Sequence, residues 1–149
     1  MMEDAGVWQM FKQLMIGSVV IAITVAIHAE LLALLRRNSP WMVHSARARI
    51  HRFADTALIM FGVLYVLFAH TVEVWLWAFV LMATGAVAGL EPAVYFSLVC
   101  FTTLGFGDIT LPVEWRLLSA LIGANGFLLF GWSTAYMFEL MRRFSGSPS

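Results

Sequence analysis

Long apolar runs constrain this chain more than any other feature. They occupy residues 14–35, 53–90 and 115–141, with a shorter run at 92–101. A bilayer core about 30 Å thick takes about 20 residues of helix or about 9–11 of strand, so the first and last runs read as spanning helices. Charged residues make up 12% of the 149, against about a quarter in soluble domains. Nine basic and nine acidic residues form no basic stripe, so nucleic acid is not an expected partner. The single cysteine, Cys100, excludes an intrachain disulfide and a Cys-rich metal site, and reads as a small packing residue. The run 14–35 exceeds a secretory h-region and reads as a retained helix, while the polar tail 145–149 reads as flexible.

Between the short run and the last run stand Thr102, Thr103, Leu104, Gly105, Phe106, Gly107 and Asp108. Alternating glycines let the backbone take left-handed conformations, so successive carbonyls can face one axis where an ordinary strand would alternate them. A dehydrated cation needs a ring of oxygens, and one strand supplies only part of each ring. The stretch therefore reads as an ion filter completed by several chains.

This stretch resembles the filter of the potassium channel superfamily, commonly Thr-Thr-Val-Gly-Tyr-Gly-Asp, and the resemblance covers residues 67–143. It implies an all-α membrane protein: a homotetrameric pore-loop channel with a re-entrant pore helix and an extra N-terminal transmembrane helix. It further implies potassium ions bound by the carbonyls of Thr103, Leu104, Gly105 and Phe106, with Gly107 above and the Thr103 hydroxyl in the innermost ring. Thr102 would support the filter. Asp108 would either form a negative ring at the outer mouth or tie the filter's back to a neighbouring donor. Leu104 and Phe106 depart from the commonest pattern, and Phe106 lacks the hydroxyl that braces a tyrosine filter. Gly126 falls near where related channels bend the inner helix. Potassium-selective conduction is the expected function, with a weakly selective cation channel or a non-conducting regulatory or scaffold subunit as alternatives. No catalysis and no cofactor are expected. The small size and the lack of an attached sensor domain point to a bacterial plasma (inner) membrane protein, multi-pass and in contact with lipid.

The run 53–90 is too long for one upright crossing and short for two. Arg36, Arg37, Arg47, Arg49 and Arg52 lie in the first connection, and positive charge favours the cytoplasmic side. A single crossing satisfies that rule with the filter facing outward and the N-terminus external. The expected division is therefore 1–52, an N-terminal helix and basic connection, and 53–149, a pore domain. Within the latter stand an outer helix at 53–81, an external turret at 82–89, a pore helix at 92–102, a filter at 103–107 and an inner helix at 113–142. Pro92 suits a first helical position, and Glu91 suits the positive end of the helix dipole. No arginine-repeat voltage sensor is present.

Several polar residues sit within the apolar runs. Asn125 is expected to line a wet cavity or bond the filter's base. His70 and Glu73 share a helix face, and a carboxylate at that depth costs about 2.5–3.5 kcal/mol, so Glu73 is expected to pair with His70 or the filter backing, with proton sensing as a possible role. Spacing places no third metal ligand beside them. His28 has no assigned role, and Glu30 is expected to snorkel toward Arg36 or Arg37. Gly123 and Ser119 form a small-residue face, and Gly131 adds a third glycine to the inner helix. The six tryptophans read mostly as interface anchors.

Overall fold

The computed structural model describes residues 2–50 and 53–144, with side chains described for 6–46 and 53–142. Four helices appear in the order α1 (Met2–Ile50), α2 (Ala54–Ala83), α3 (Leu90–Phe101) and α4 (Arg116–Phe144), with no strand among the described residues. Three of them, α1, α2 and α4, are long and apolar enough to cross a membrane. The 12 residues of α3 reach only about 18 Å, too short to cross.

The middle run forms one helix, because α2 ends where Gly85 can take φ 72°. The Gly85 N–H donates to the Met82 carbonyl at 3.0 Å and the Ala86 N–H to the Leu81 carbonyl at 2.9 Å. This paired closure is the glycine-terminated helix end of the Schellman type. The expected turret at 82–89 accordingly shrinks to a loop at 84–89.

The expected connection 36–52 is corrected: α1 continues through it to Ile50. Pro40 lies inside that helix and offers no N–H to the Arg36 carbonyl one turn earlier. The Ser39 hydroxyl donates to that carbonyl at 2.8 Å, so the vacant acceptor is satisfied locally. Arg52 and the tail 145–149 lie outside the described residues. Glu30, Arg36 and Arg37 are all exposed.

Helices α1 and α4 run parallel. Gln13 accepts from the Leu117 N–H at 2.9 Å, capping the start of α4, and Thr24 and His28 meet Asn125 and Ser133 further along. Helix α2 runs antiparallel to α1, with the Tyr65 hydroxyl donating to the Leu31 carbonyl at 3.0 Å and Glu73 meeting His28. The basic end of α1 and the C-terminal end of α4 with Arg142 therefore share one side.

Two apolar clusters hold the bundle. One joins Val20, Trp77, Leu81, Phe96, Phe101 and Ile122 from all four helices. The other joins Leu35, Leu58 and Leu140 nearer the basic end. Trp77 is fully buried in the first cluster, unlike the exposed Trp8 and Trp41, so it is a core residue and no interface anchor.

Helix α4 approaches α3 through glycine. A Cβ on Gly126 would collide with the Phe101 carbonyl and come within 2.9 Å of its ring, and one on Gly123 would sit 3.4 Å from the Cys100 carbonyl. Alanine gains about 1 kcal/mol over glycine in a helix interior, whereas overpacking against an obstacle that cannot rotate away costs about 1–3 kcal/mol. Gly126→Ala should therefore lower the thermal unfolding midpoint of the purified protein. An unchanged or raised midpoint would contradict this packing.

Candidate pore loop and buried polar ring

The first turn of α3 begins two residues before Pro92, at Leu90, with Gly89 at φ 93° before it. Pro92 thus occupies the third helical position and not the first. Its missing N–H costs nothing there, since N–H groups of a first turn have no partner within the helix. Glu91 lies in the same turn, near the positive end of the helix dipole.

The other end of α3 suspends the segment 103–107. The Thr103 N–H donates to the Cys100 carbonyl at 2.9 Å, and the Leu104 N–H to the Val99 carbonyl at 3.0 Å. The Thr102 hydroxyl donates to the Leu98 carbonyl at 2.8 Å. Beyond this cap, positive φ recurs at every second residue: Thr103 at 61°, Gly105 at 57° and Gly107 at 77°. Nothing lies within 4 Å of a Cβ built on Gly105 or Gly107, so these glycines answer to backbone conformation and not to crowding. Thr103, a β-branched residue in left-handed geometry, carries strain of about 1–3 kcal/mol. Residues 103–108 are all exposed in the single chain.

Asp108 closes this segment by accepting the Tyr95 hydroxyl at 2.6 Å. That bond, the largest influence, together with the backbone N–H groups of Asp108 and Ile109 holds the Asp108 carboxyl below its ordinary value against an opposing desolvation. The Tyr95 hydroxyl is a donor of the kind that the tying alternative for Asp108 called for. This tyrosine of α3, 13 residues earlier, carries no sequence signal of that partnership.

Asn125 does not face a cavity or the filter's base. It is fully buried against α1, where its amide donates to the Thr24 hydroxyl at 2.8 Å. The physical reason is mutual: each is a polar side chain at apolar depth, and each satisfies the other. Gly126 sits beside it in the close contact with Phe101.

A second polar constellation lies between the two apolar clusters. His70 Nδ1 and Glu73 Oε2 are 2.9 Å apart, and His28 Nδ1 and Glu73 Oε1 are 2.7 Å apart. The Ser133 hydroxyl lies 3.0 Å from His28 Nε2 and 3.1 Å from His70 Nε2. Four side chains from α1, α2 and α4 thus close a ring, none of them more than 5% exposed. The imidazoles stack with centroids 5.2 Å apart, and the His70 ring contacts Phe130 and Phe101 at 4.4 and 5.8 Å. Spacing within α2 places His70 near Glu73; His28 and Ser133 arrive only through tertiary packing, from 45 and 60 residues away from Glu73. One ligand atom each from His28, His70 and Glu73 lies within 4.8 Å of the others, but every one of these groups is already engaged within the ring.

Three apolar spanning helices, a short helix unable to span, and a glycine-bearing loop hung from its C-terminal end define a helical membrane protein of pore-loop type. Residues 66–143, just over half of the chain, match a protein family described as "Ion channel". The chain belongs to that family, and so to the potassium channel superfamily. Neither the curated proteins nor the solved structures contain a match to it.

The Tyr95–Asp108 bond sets a pH expectation. A carboxyl whose value is depressed keeps its charge above the ordinary range and loses it only as pH falls through the lowered value. Tyr95→Phe removes the largest cause of that depression. The charge at the loop's outer end should then disappear at higher pH than in the parent, as read by carbon-13 NMR titration of the Asp108 carboxyl. An identical titration in both proteins would remove the bond's electrostatic role.

Proposed function

We infer that four copies of this chain surround a central pore and conduct potassium selectively down its gradient. The observation that carries the reading is the recurrence of left-handed backbone at Thr103, Gly105 and Gly107 within a family-typical motif. Such alternation turns successive carbonyls toward one side, and four such segments around an axis would make stacked oxygen rings that replace an ion's water shell. Thr103, Leu104, Gly105 and Phe106 would supply the ring carbonyls, with Gly107 above them and the Thr103 hydroxyl at the inner end. Thr102, the C-cap of α3 with its hydroxyl on the Leu98 carbonyl, would support the segment from the helix end.

The remaining parts fit that role. The C-terminal end of α3, carrying partial negative charge, adjoins the inner end of the segment and favours a cation there. Irregular backbone at membrane depth is tolerated only where protein or a water-filled pore surrounds it, a condition a tetramer meets. Asp108 would add negative charge at the outer mouth in four copies. The basic end of α1 would face the cytoplasm and the anionic headgroups of a bacterial plasma membrane. Gly126, tightly packed on Phe101, would act as the point about which the inner helix moves. A cation channel of weaker selectivity is the second reading, because Phe106 lacks a hydroxyl to brace the filter from behind.

Purified protein in liposomes should pass potassium and rubidium, exclude sodium, and be blocked by barium. Gly105→Ala should retain the assembly and abolish flux, since a side chain is disfavoured at φ 57°. Equal sodium and potassium flux would select the weakly selective channel. Absence of flux in the parent under every ionic condition would select the scaffold role, and full conduction by Gly105→Ala would displace the filter from this segment.

A further inference from the structure

His28, His70, Glu73 and Ser133 supply no filter carbonyl, yet they place four polar side chains at the least favourable depth of the bundle. Their hydrogen count explains how. The ring contains four hydrogen bonds, two joining the Glu73 carboxyl oxygens and the Nδ1 atoms and two joining Ser133 Oγ and the Nε2 atoms. Each bond needs one hydrogen. Two neutral imidazoles bring one N–H each, the hydroxyl brings one O–H, and an ionised carboxylate brings none. Three hydrogens serve four bonds.

One additional proton completes the ring. It can sit on either imidazole, making an imidazolium beside the carboxylate, or on the Glu73 carboxyl itself. Both placements fill all four bonds and leave the cluster with no net charge, which suits a site closed to water. Removing that proton strands one Nε2 lone pair against the Ser133 oxygen and leaves a buried negative charge. Adding a second puts two hydrogens into one bond and leaves a buried positive charge.

We propose that this ring is a one-proton site whose occupancy fastens the inner helix α4 to α1 and α2. Helix α1 contributes His28, α2 contributes His70 and Glu73, α4 contributes Ser133 with Trp132 against His28, and α3 presents the non-titrating Phe101 ring to His70. Ser133 stands seven residues beyond Gly126, about two helical turns, so any swing of α4 about Gly126 must break the Ser133 bonds. His70 also packs on Phe101, the residue directly before Thr102. Proton gain or loss therefore bears on both the inner helix and the support of the loop. An apolar groove of about 410 Å³ between α2 and α4 has His70 and Ser133 among its lining residues. The proposal stands on these four side chains and not on ion selectivity, so failure of potassium flux leaves it intact.

The full-length protein in lipid nanodiscs tests it through the pH dependence of thermal unfolding. The parent should be most stable at an intermediate pH and lose stability on both sides. Glu73→Gln is the decisive variant: one of its two amide N–H groups supplies the fourth hydrogen, so two neutral histidines complete the ring without an added proton, while the second N–H is left outside the four bonds. Its maximum should lie at or below the parent's, because the second amide N–H is buried without a partner, and it should be held on the alkaline side, where the parent declines. Ser133→Ala should lower the midpoint and flatten the profile.

A parent profile independent of pH, or an alkaline decline in Glu73→Gln equal to the parent's, would overturn the proposal. Should Glu73→Gln not assemble, nitrogen-15 NMR of histidine-labelled parent, with His44 and His51 replaced by Gln, together with infrared detection of a protonated carboxyl, decides the matter. Three protonated ring nitrogens, or two with a protonated Glu73, support the site. Two neutral imidazoles beside an ionised Glu73 at the pH of greatest stability reject it. Stabilisation by zinc chloride at that pH, with loss of the histidine N–H signals, would also reject it in favour of a metal centre.

Discussion

The fold depends on how closely α4 can lie against the end of α3. Helix α3 is too short to cross a membrane, and the segment after it has no regular hydrogen bonding of its own. Both must be held from behind. Gly126 lets α4 rest on the Phe101 backbone, and Gly123 does the same near Cys100. The C-terminal carbonyls of α3 then take the first N–H groups of the suspended loop. At the loop's outer end the Tyr95 hydroxyl fixes Asp108. A loop tied at both ends to one helix can sustain the left-handed backbone at Thr103 that a free segment would relax.

Polar groups elsewhere mostly follow the rule that a buried polar atom finds a partner, the Trp77 indole N–H and the Ser97 hydroxyl being exceptions among the described residues. Thr24 answers Asn125, Gln13 answers the Leu117 N–H in the first turn of α4, and Ser39 answers the carbonyl vacated by Pro40. The ring of His28, His70, Glu73 and Ser133 extends the rule to ionisable groups. It lies between an apolar cluster around Trp77 and another around Leu58, so the bundle has a polar waist. Hydrogen bonds are directional where apolar contact is not, and this waist fixes the registry of α1 and α4 against α2.

Much of the architecture was legible in the sequence because hydrocarbon thickness limits helix length and glycine marks where backbone must turn. The first and last apolar runs marked two spanning helices, and the arginines of the first connection favoured one crossing for the middle run, which the structure ends at Gly85. The extension of α1 through Pro40 to Ile50 was not legible, since a basic, proline-bearing stretch reads as a connection until Ser39 is seen to repair the break. Trp77 was misjudged by residue type alone: nothing local separates a core tryptophan from an anchor. His70 and Glu73 could be paired by helical spacing. His28 and Ser133 could not, because their meeting depends on how three helices register, and Asn125 was turned toward α1 by the same registry.

Ion density on a fourfold axis is the most direct test of the central claim, that the segment 103–107 forms one quarter of a cation filter. Crystals or frozen grids of the assembled protein in rubidium or thallium salts would place those ions by scattering alone. A potassium filter requires four chains around one axis, with ions in line between rings of carbonyls from Thr103, Leu104, Gly105 and Phe106. An assembly without a fourfold axis, or one whose axis carries no ion at these carbonyls while ions bind elsewhere, would contradict it.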